Sequence, residues 1–267
     1  VIKKLSLDSD SLVTEIASND GYLLKNFLDK GIPSLGIEPT KNTAEVAKKK
    51  GIEVITEFFS QDLALKLNKS NLIICNNVIA HVPDINDFVK GLKIALKKGG
   101  TITLEFPHLL NLIKLIQFDT IYHEHYSYLS LYTVNIIFKR FGLEIYDVEK
   151  IKTHGGSLRI YCRHIEDDLI PIKESVRIII SEEINFGINK MSCYSNFIKE
   201  ALKIKYSTLE FLYSAKKRSK KVIGYGAAAK GNTFLNFCGI KSDLIEFVVD
   251  KSPFKQNKFL PGSNIPI

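Results

Sequence analysis

Tyr122-His123-Glu124-His125 is the densest set of titratable side chains in the sequence. Histidine exchanges protons near neutral pH, and an adjacent carboxylate or phenol can orient an imidazole or stabilise charge developing beside it. The pattern suits a general base. Two histidines and a glutamate are also a metal-ligand set, and on a strand His123 and His125 would share one face. A polar surface turn is the plain alternative. His81, close to Pro83, could reach the same crevice, or could only cap and pack.

A second set lies near the N-terminus, where Glu15-Ile16-Ala17-Ser18-Asn19-Asp20-Gly21 links an apolar strand pattern to a helical one. Small residues there let a ligand approach the backbone. Asn19 or Asp20 can cap the helix or meet the ligand, and amides at the helix start can receive a carboxylate. Glu38, followed by Pro39, closes the next strand, where an acidic side chain can accept two hydrogen bonds from a ribose diol. Asn76 and Asn77 end the fourth strand beside the same crevice, and Phe58 and Phe59 could flank an adenine ring. The plain reading is that Asp20 is only a cap and Glu38 only a turn residue. Ala17 and Asn19 stand where a dinucleotide loop needs glycine, and a strand ending in Glu15 is typical of methyltransferases. Residues 11–38 therefore read as a site for a nucleoside-containing cofactor, S-adenosylmethionine rather than NAD. The NAD alternative has a better place: Gly224-Tyr-Gly226-Ala-Ala-Ala229 matches G-x-G-x-x-A after a strand, and Asp250 ends the next one.

These residues need a scaffold that gathers strand ends. Strand patterns at 12–17, 34–38, 53–56, 71–76 and 101–106 alternate with helical patterns at 21–30, 43–50 and 85–96, the last closed by Lys97-Lys98-Gly99-Gly100. That alternation predicts a parallel sheet covered by helices. After Pro107 the rhythm changes to an apolar helical segment at 109–118, the polar aromatic run, and a helix at 130–141. Two further strands at 142–148 and 157–163 would complete a seven-stranded, doubly wound class I methyltransferase sheet. Residues 171–218 read as helical. Strands at 222–225 and 244–249, with a helix to about 237 between them, begin a second Rossmann-like α/β unit. The resulting division is a core at 1–165, a helical linker at 166–219 and a partial domain at 220–267.

Four cysteines, none in a C-x-x-C, argue against a disulfide framework or a zinc site within the chain and predict a reduced, cytoplasmic protein. No apolar run reaches the roughly 18 residues of a membrane span, and no signal peptide is visible. The net charge of +8 comes largely from lysine runs at 48–50, 97–98 and 216–221. These are solvated helix ends or an attraction for an anionic ligand such as a diphosphate. No aromatic-interleaved basic stripe points to nucleic acid. The chain starts at Val1 and ends at Ile267 without an obvious stopping element, which predicts a piece of a longer protein.

The segments Glu15-Ile-Ala-Ser-Asn-Asp-Gly-Tyr-Leu-Leu24, Gly36-Ile-Glu-Pro39, residues 76–81, Tyr122-His-Glu-His-Tyr-Ser-Tyr128, Gly155-Gly-Ser-Leu-Arg159 and Gly224-Tyr-Gly-Ala-Ala-Ala-Lys-Gly-Asn-Thr233 span nearly the whole sequence. Through them the chain resembles the bacterial S-adenosylmethionine-dependent C-methyltransferases of nucleotide-linked deoxy-keto-sugars, such as the C-3 methyltransferases. The resemblance implies a three-part enzyme with an N-terminal zinc-binding domain, absent from this sequence, a methyltransferase core and a C-terminal Rossmann-like domain. It implies that His125 removes the acidic proton next to a ketone, and that Glu124, Tyr122 and His81 orient groups or stabilise the enolate. His123, Arg159, Gly226, Lys230, Gly231, Asn232 and Asp250 would meet the nucleotide-linked sugar, with a thymidine diphosphate sugar as the expected substrate. The two other readings are an NAD-dependent oxidoreductase using residues 224–229 and a non-catalytic sugar-nucleotide-binding remnant.

Overall fold

The computed structural model describes residues 1–267 and divides into two units, Val1–Leu110 with His125–Asn189, and Asn111–Glu124 with Lys190–Ile267. The first unit carries seven strands: β1 (Val13–Ile16), β2 (Ser34–Ile37), β3 (Glu53–Ile55), β4 (Ser70–Asn76), β5 (Leu96–Pro107), β6 (Leu143–Ile151) and β7 (Ser157–His164). They form one sheet in the order β3-β2-β1-β4-β5-β7-β6. The first five are parallel, as the alternation of strand and helix patterns predicts, and β7 is antiparallel to both neighbours. Helices α1 (Ile2–Leu5), α2 (Lys25–Leu28), α3 (Lys41–Lys49), α4 (Gln61–Ala64), α5 (Ile85–Ala95), α6 (Leu109–Lys114), α7 (Leu131–Arg140) and α8 (Glu174–Phe186) complete the elements up to residue 189.

A strand buried on both faces reads as a continuous apolar run, and the sheet separates two cores accordingly. Ile16, Ile73, Cys75, Ile102, Leu104 and Ile160 pack with Phe88, Leu92, Val134 and Phe138 of α5 and α7. Val13, Leu72 and Ile74 pack with Leu24, Phe27, Ala44 and Ala47 on the other face. Helix starts are set by local caps: Asp84 Oδ1 accepts the Asn86 and Asp87 amides at α5, and Ser130 Oγ accepts the Thr133 amide at α7.

Several elements differ from the sequence pattern. The helix expected at 21–30 is regular only over Lys25–Leu28, because the Asn26 side-chain amide donates to the Tyr22 and Leu23 carbonyls and competes with the helical ladder. Lys97-Lys98-Gly99-Gly100 does not lie between helix and strand. It lies inside β5, where the pairing jumps from Ser70↔Leu96 to Leu72↔Thr101 and Gly99 takes φ +74°. The last strand is confined to two residues, because 242–244 turn back and Lys241 O accepts the Leu244 and Ile245 amides.

Gly21 is held at φ +73°, and a Cβ there would collide with Ile52 Cδ1 and lie 3.1 Å from Ala47 Cβ. Gly21→Ala is expected to cost about 1–3 kcal/mol through crowding and backbone strain together. Urea denaturation checks this as a lower midpoint at an unchanged slope; an unshifted midpoint would contradict it.

The second unit is built on α9 (Phe197–Lys217), β8 (Gly224–Tyr225), α10 (Ala229–Cys238) and β9 (Val248–Val249), with β8 and β9 parallel. Its core holds Leu212, Leu235, Cys238, Ile240, Val248 and Ile265. Phe118 joins it, with ring centroids 5.9 Å from Phe234 and 4.6 Å from Phe237, which is why residues 111–124 belong to this unit.

Candidate active site

The loop after β1 has positive φ at three alternate residues, Ala17, Asn19 and Gly21. Two of these are not glycine and are strained, so the surroundings must hold them. Glu38 does so. Its Oε2 accepts the Asn19 amide at 3.1 Å and its Oε1 accepts the Thr40 amide at 2.8 Å. Each carboxylate oxygen has two lone pairs, so each can accept one further bond from a diol. Gly36 leaves room for this loop, since a Cβ there would sit 2.5 Å from Ser18 Oγ. Glu38→Ala removes a charged acceptor from the Asn19 and Thr40 amides, whose residues are exposed enough for water to replace part of the roughly 1.5–3 kcal/mol each charged hydrogen bond contributes. The expected result is at least a tenfold loss of affinity for S-adenosylhomocysteine by calorimetry; unchanged affinity would exclude Glu38 from the site.

Glu15 is buried at the end of β1, and its Oε2 has no partner. Burial, with a smaller push from Asp20, raises its carboxyl from 4.5 to about 8. Ser18 Oγ and Asn77 Oδ1 are likewise buried without partners. Three such polar atoms around one set of strand ends fit a polar ligand that would satisfy them. Asp20 turns outward, paired with Lys50 at 2.6 Å, and this bond holds its carboxyl below the usual range.

Beside the loop lies an apolar crevice of about 620 Å³. Ala17, Pro39, Phe58 and His81 line it, as do Ile37, Val78, Phe88 and Tyr126, which the sequence reading did not single out. Phe59 stands edge-on to Phe88 at 5.4 Å, and Phe58 is exposed at the rim. Asn76 opens instead onto a second pocket of about 260 Å³ with Glu105, Arg159 and Tyr161. Arg159 is ion-paired with Glu105 and lies 3.6 Å from Glu149, so its charge is already engaged.

Residues 121–128 form turns rather than a strand, so the shared strand face for His123 and His125 does not arise. Tyr122, His123 and Glu124 fall in the second unit and His125 in the first. The Tyr126 and Ser127 amides donate to Ala80 O at 2.8 and 3.2 Å. That places the His125 ring 4.8 Å from His81 and 5.8 Å from Tyr128. No group of three or more His, Cys, Asp or Glu is arranged to hold a metal ion.

In the second unit, Gly226 turns at φ +92°, and Lys230, Gly231 and Asn232 lie in the first turn of α10. Asn232 Oδ1 is buried without a partner. Asp250 accepts the Ala227 and Ser252 amides at 2.7 and 2.8 Å and lies 3.5 Å from Lys255. These bonds hold its carboxyl low. Its carboxylate thus occupies the loop amide that a dinucleotide pyrophosphate would use.

Five parallel strands followed by an antiparallel β7–β6 pair, with a loop and crevice at the strand ends, define the class I methyltransferase fold. Residues 1–148 match the methyltransferase domain family, and the chain belongs to it. Residues 152–267 match the C-methyltransferase C-terminal domain. The C-methyltransferase NovU of Streptomyces niveus is 33% identical over the whole chain, which spans 64% of that protein's length. Among solved structures, a Haloferax volcanii protein in complex with the Trm112 methyltransferase activator superposes with a TM-score of 0.52 at 15% identity, covering 61% of this chain and 87% of that one. A Pyrococcus horikoshii protein gives a TM-score of 0.50 at 15% identity, covering 61% and 85%. No helix is long and apolar enough to cross a membrane.

Proposed function

We propose that this chain is the core of an S-adenosylmethionine-dependent C-methyltransferase, acting on the carbon next to the ketone of a nucleotide-linked deoxy-keto-sugar. The observation that carries the reading is the His81–His125 pair. His81 lines the apolar crevice beside the loop after β1, and the His125 ring lies 4.8 Å from it. Carbon is a poor nucleophile until a proton is removed, so methylation at carbon needs a base where many O-methyl transfers need mainly positioning.

In this reading Glu38 accepts the ribose hydroxyls and Glu15 faces an ammonium group, with Ala17, Ser18, Asn19, Gly21, Pro39, Phe58 and Asn77 around the cofactor. S-adenosylmethionine supplies an electrophilic methyl group on a sulfonium. His125 takes the proton from the substrate carbon, leaving an enolate. His81 stabilises charge beside His125, and Tyr122 and Glu124 are carried within three residues of it in the chain. Lys230, Gly231 and Asn232 would meet a diphosphate at the start of α10. The division into a core at 1–165, a linker at 166–219 and a nucleotide-binding part at 220–267 belongs to the same proposal. Calorimetric titration with S-adenosylhomocysteine tests it: single-site binding is expected, and a folded sample that binds none would sink the reading.

A further inference from the structure

Residues 109–129 leave the sheet and return to the point of departure. Leu109 N–H donates to Leu129 O at 3.0 Å, and His108 bridges to Leu129. One buried carboxylate ties both sides of this closure. Glu183 on α8 accepts from His108 Nε2 and from the Leu131 and Tyr132 amides, each at 2.7 Å. Glu183 is 0% exposed and His108 2%. Burying a carboxyl group is costly, and here its three hydrogen bonds and the start of α7 offset that cost. An apolar side chain would fill the same space without the penalty. What the carboxylate adds is a fixed link between the end of β5 and the start of α7, the two ends of the excursion.

That excursion carries His125. Its return limb is the segment whose Tyr126 and Ser127 amides bond to Ala80 O and set the His81–His125 distance. None of the three bonds of Glu183 goes to either ring. We propose that Glu183 is a positioning residue: by closing the base of residues 109–129 it sets the geometry of His125 against His81. The importance of that geometry rests on the methyl-transfer reading, but its test does not.

The test is ring-resolved NMR of the full chain with labelled histidines, the six assigned by single substitutions. Glu183→Gln keeps the volume but removes one acceptor oxygen. It is expected to shift or broaden the His81 and His125 ring signals beyond a linewidth. His164, whose ring bonds to Leu96 O at 3.0 Å, should stay in place. Ser130→Ala, which removes the cap at the same helix start without touching Glu183, should leave both rings unmoved. If Glu183→Gln leaves His81 and His125 unmoved, or Ser130→Ala moves them as far, the proposal is overturned. Should Glu183→Gln fail to fold, His108→Leu removes one of the three bonds and carries the same comparison. A parent chain that binds no S-adenosylhomocysteine would remove the methyl-transfer reading and leave this result standing, so the two can fail separately.

Discussion

His125→Gln is expected to lower turnover of a nucleotide-linked keto-sugar by about 10²–10⁴-fold, the usual contribution of a positioned base. Glutamine keeps a polar side chain of similar reach but cannot take a proton. The affinity for S-adenosylhomocysteine should stay within twofold, because His125 is not among the residues lining the crevice. The step before methylation gives a second readout. The parent protein should exchange the substrate's α-proton for deuterium when S-adenosylhomocysteine replaces the methyl donor, and the variant should not. His81→Gln is expected to fall between the two. Unchanged turnover and exchange in His125→Gln would remove it as the base, whatever the cofactor data show.

The second large effect concerns Glu15. Its carboxyl titrates at about 8 in the folded chain against 4.5 when unperturbed. The folded state therefore holds the proton more tightly than the unfolded one. The stability tied to this group is complete below pH 4.5 and is lost as pH rises through about 8. At 1.36 kcal/mol per pH unit the whole loss is roughly 5 kcal/mol. Glu15→Gln replaces the neutral acid by a neutral amide that does not ionise. The melting temperature of the variant relative to the parent should rise steadily from pH 5 to pH 8.5 and level off above. A difference that does not vary over pH 5–9 would contradict the assignment. An ammonium beside Glu15 favours the carboxylate. Binding of S-adenosylhomocysteine at pH 7 should thus expel up to one proton, visible as a dependence of the binding heat on buffer ionisation enthalpy.

The sheet was legible because strand and helix periodicities are local. Apolar runs such as 71–76 and amphipathic stretches such as 85–95 declare themselves within one window of residues. The loop after β1 was legible for the same reason: Glu15, the small residues and Gly21 are contiguous, and Glu38 closes the next strand. The ends of elements were less so. The short α2 and the displaced Lys97–Gly100 tract depend on where a side chain or a neighbouring strand competes for the backbone, which no window contains.

Glu183 left no signal at all. It reads as one more acidic position on a helix, and its meaning lies in His108, Leu131 and Tyr132, more than fifty positions away in sequence. Arg159 is held by Glu105 and Asp250 accepts the Ala227 amide, contacts that no stretch of neighbouring residues shows. By itself the sequence determined the strand pattern, the loop after β1 and the residue types able to move a proton, because each is written in neighbouring residues. Only the tertiary structure decided which of those residues meet. The His81–His125 pair exists because Ala80 O accepts two amides from a segment that first leaves the sheet and returns, and hydrogen-bond closure over such a distance is a property of the folded chain alone.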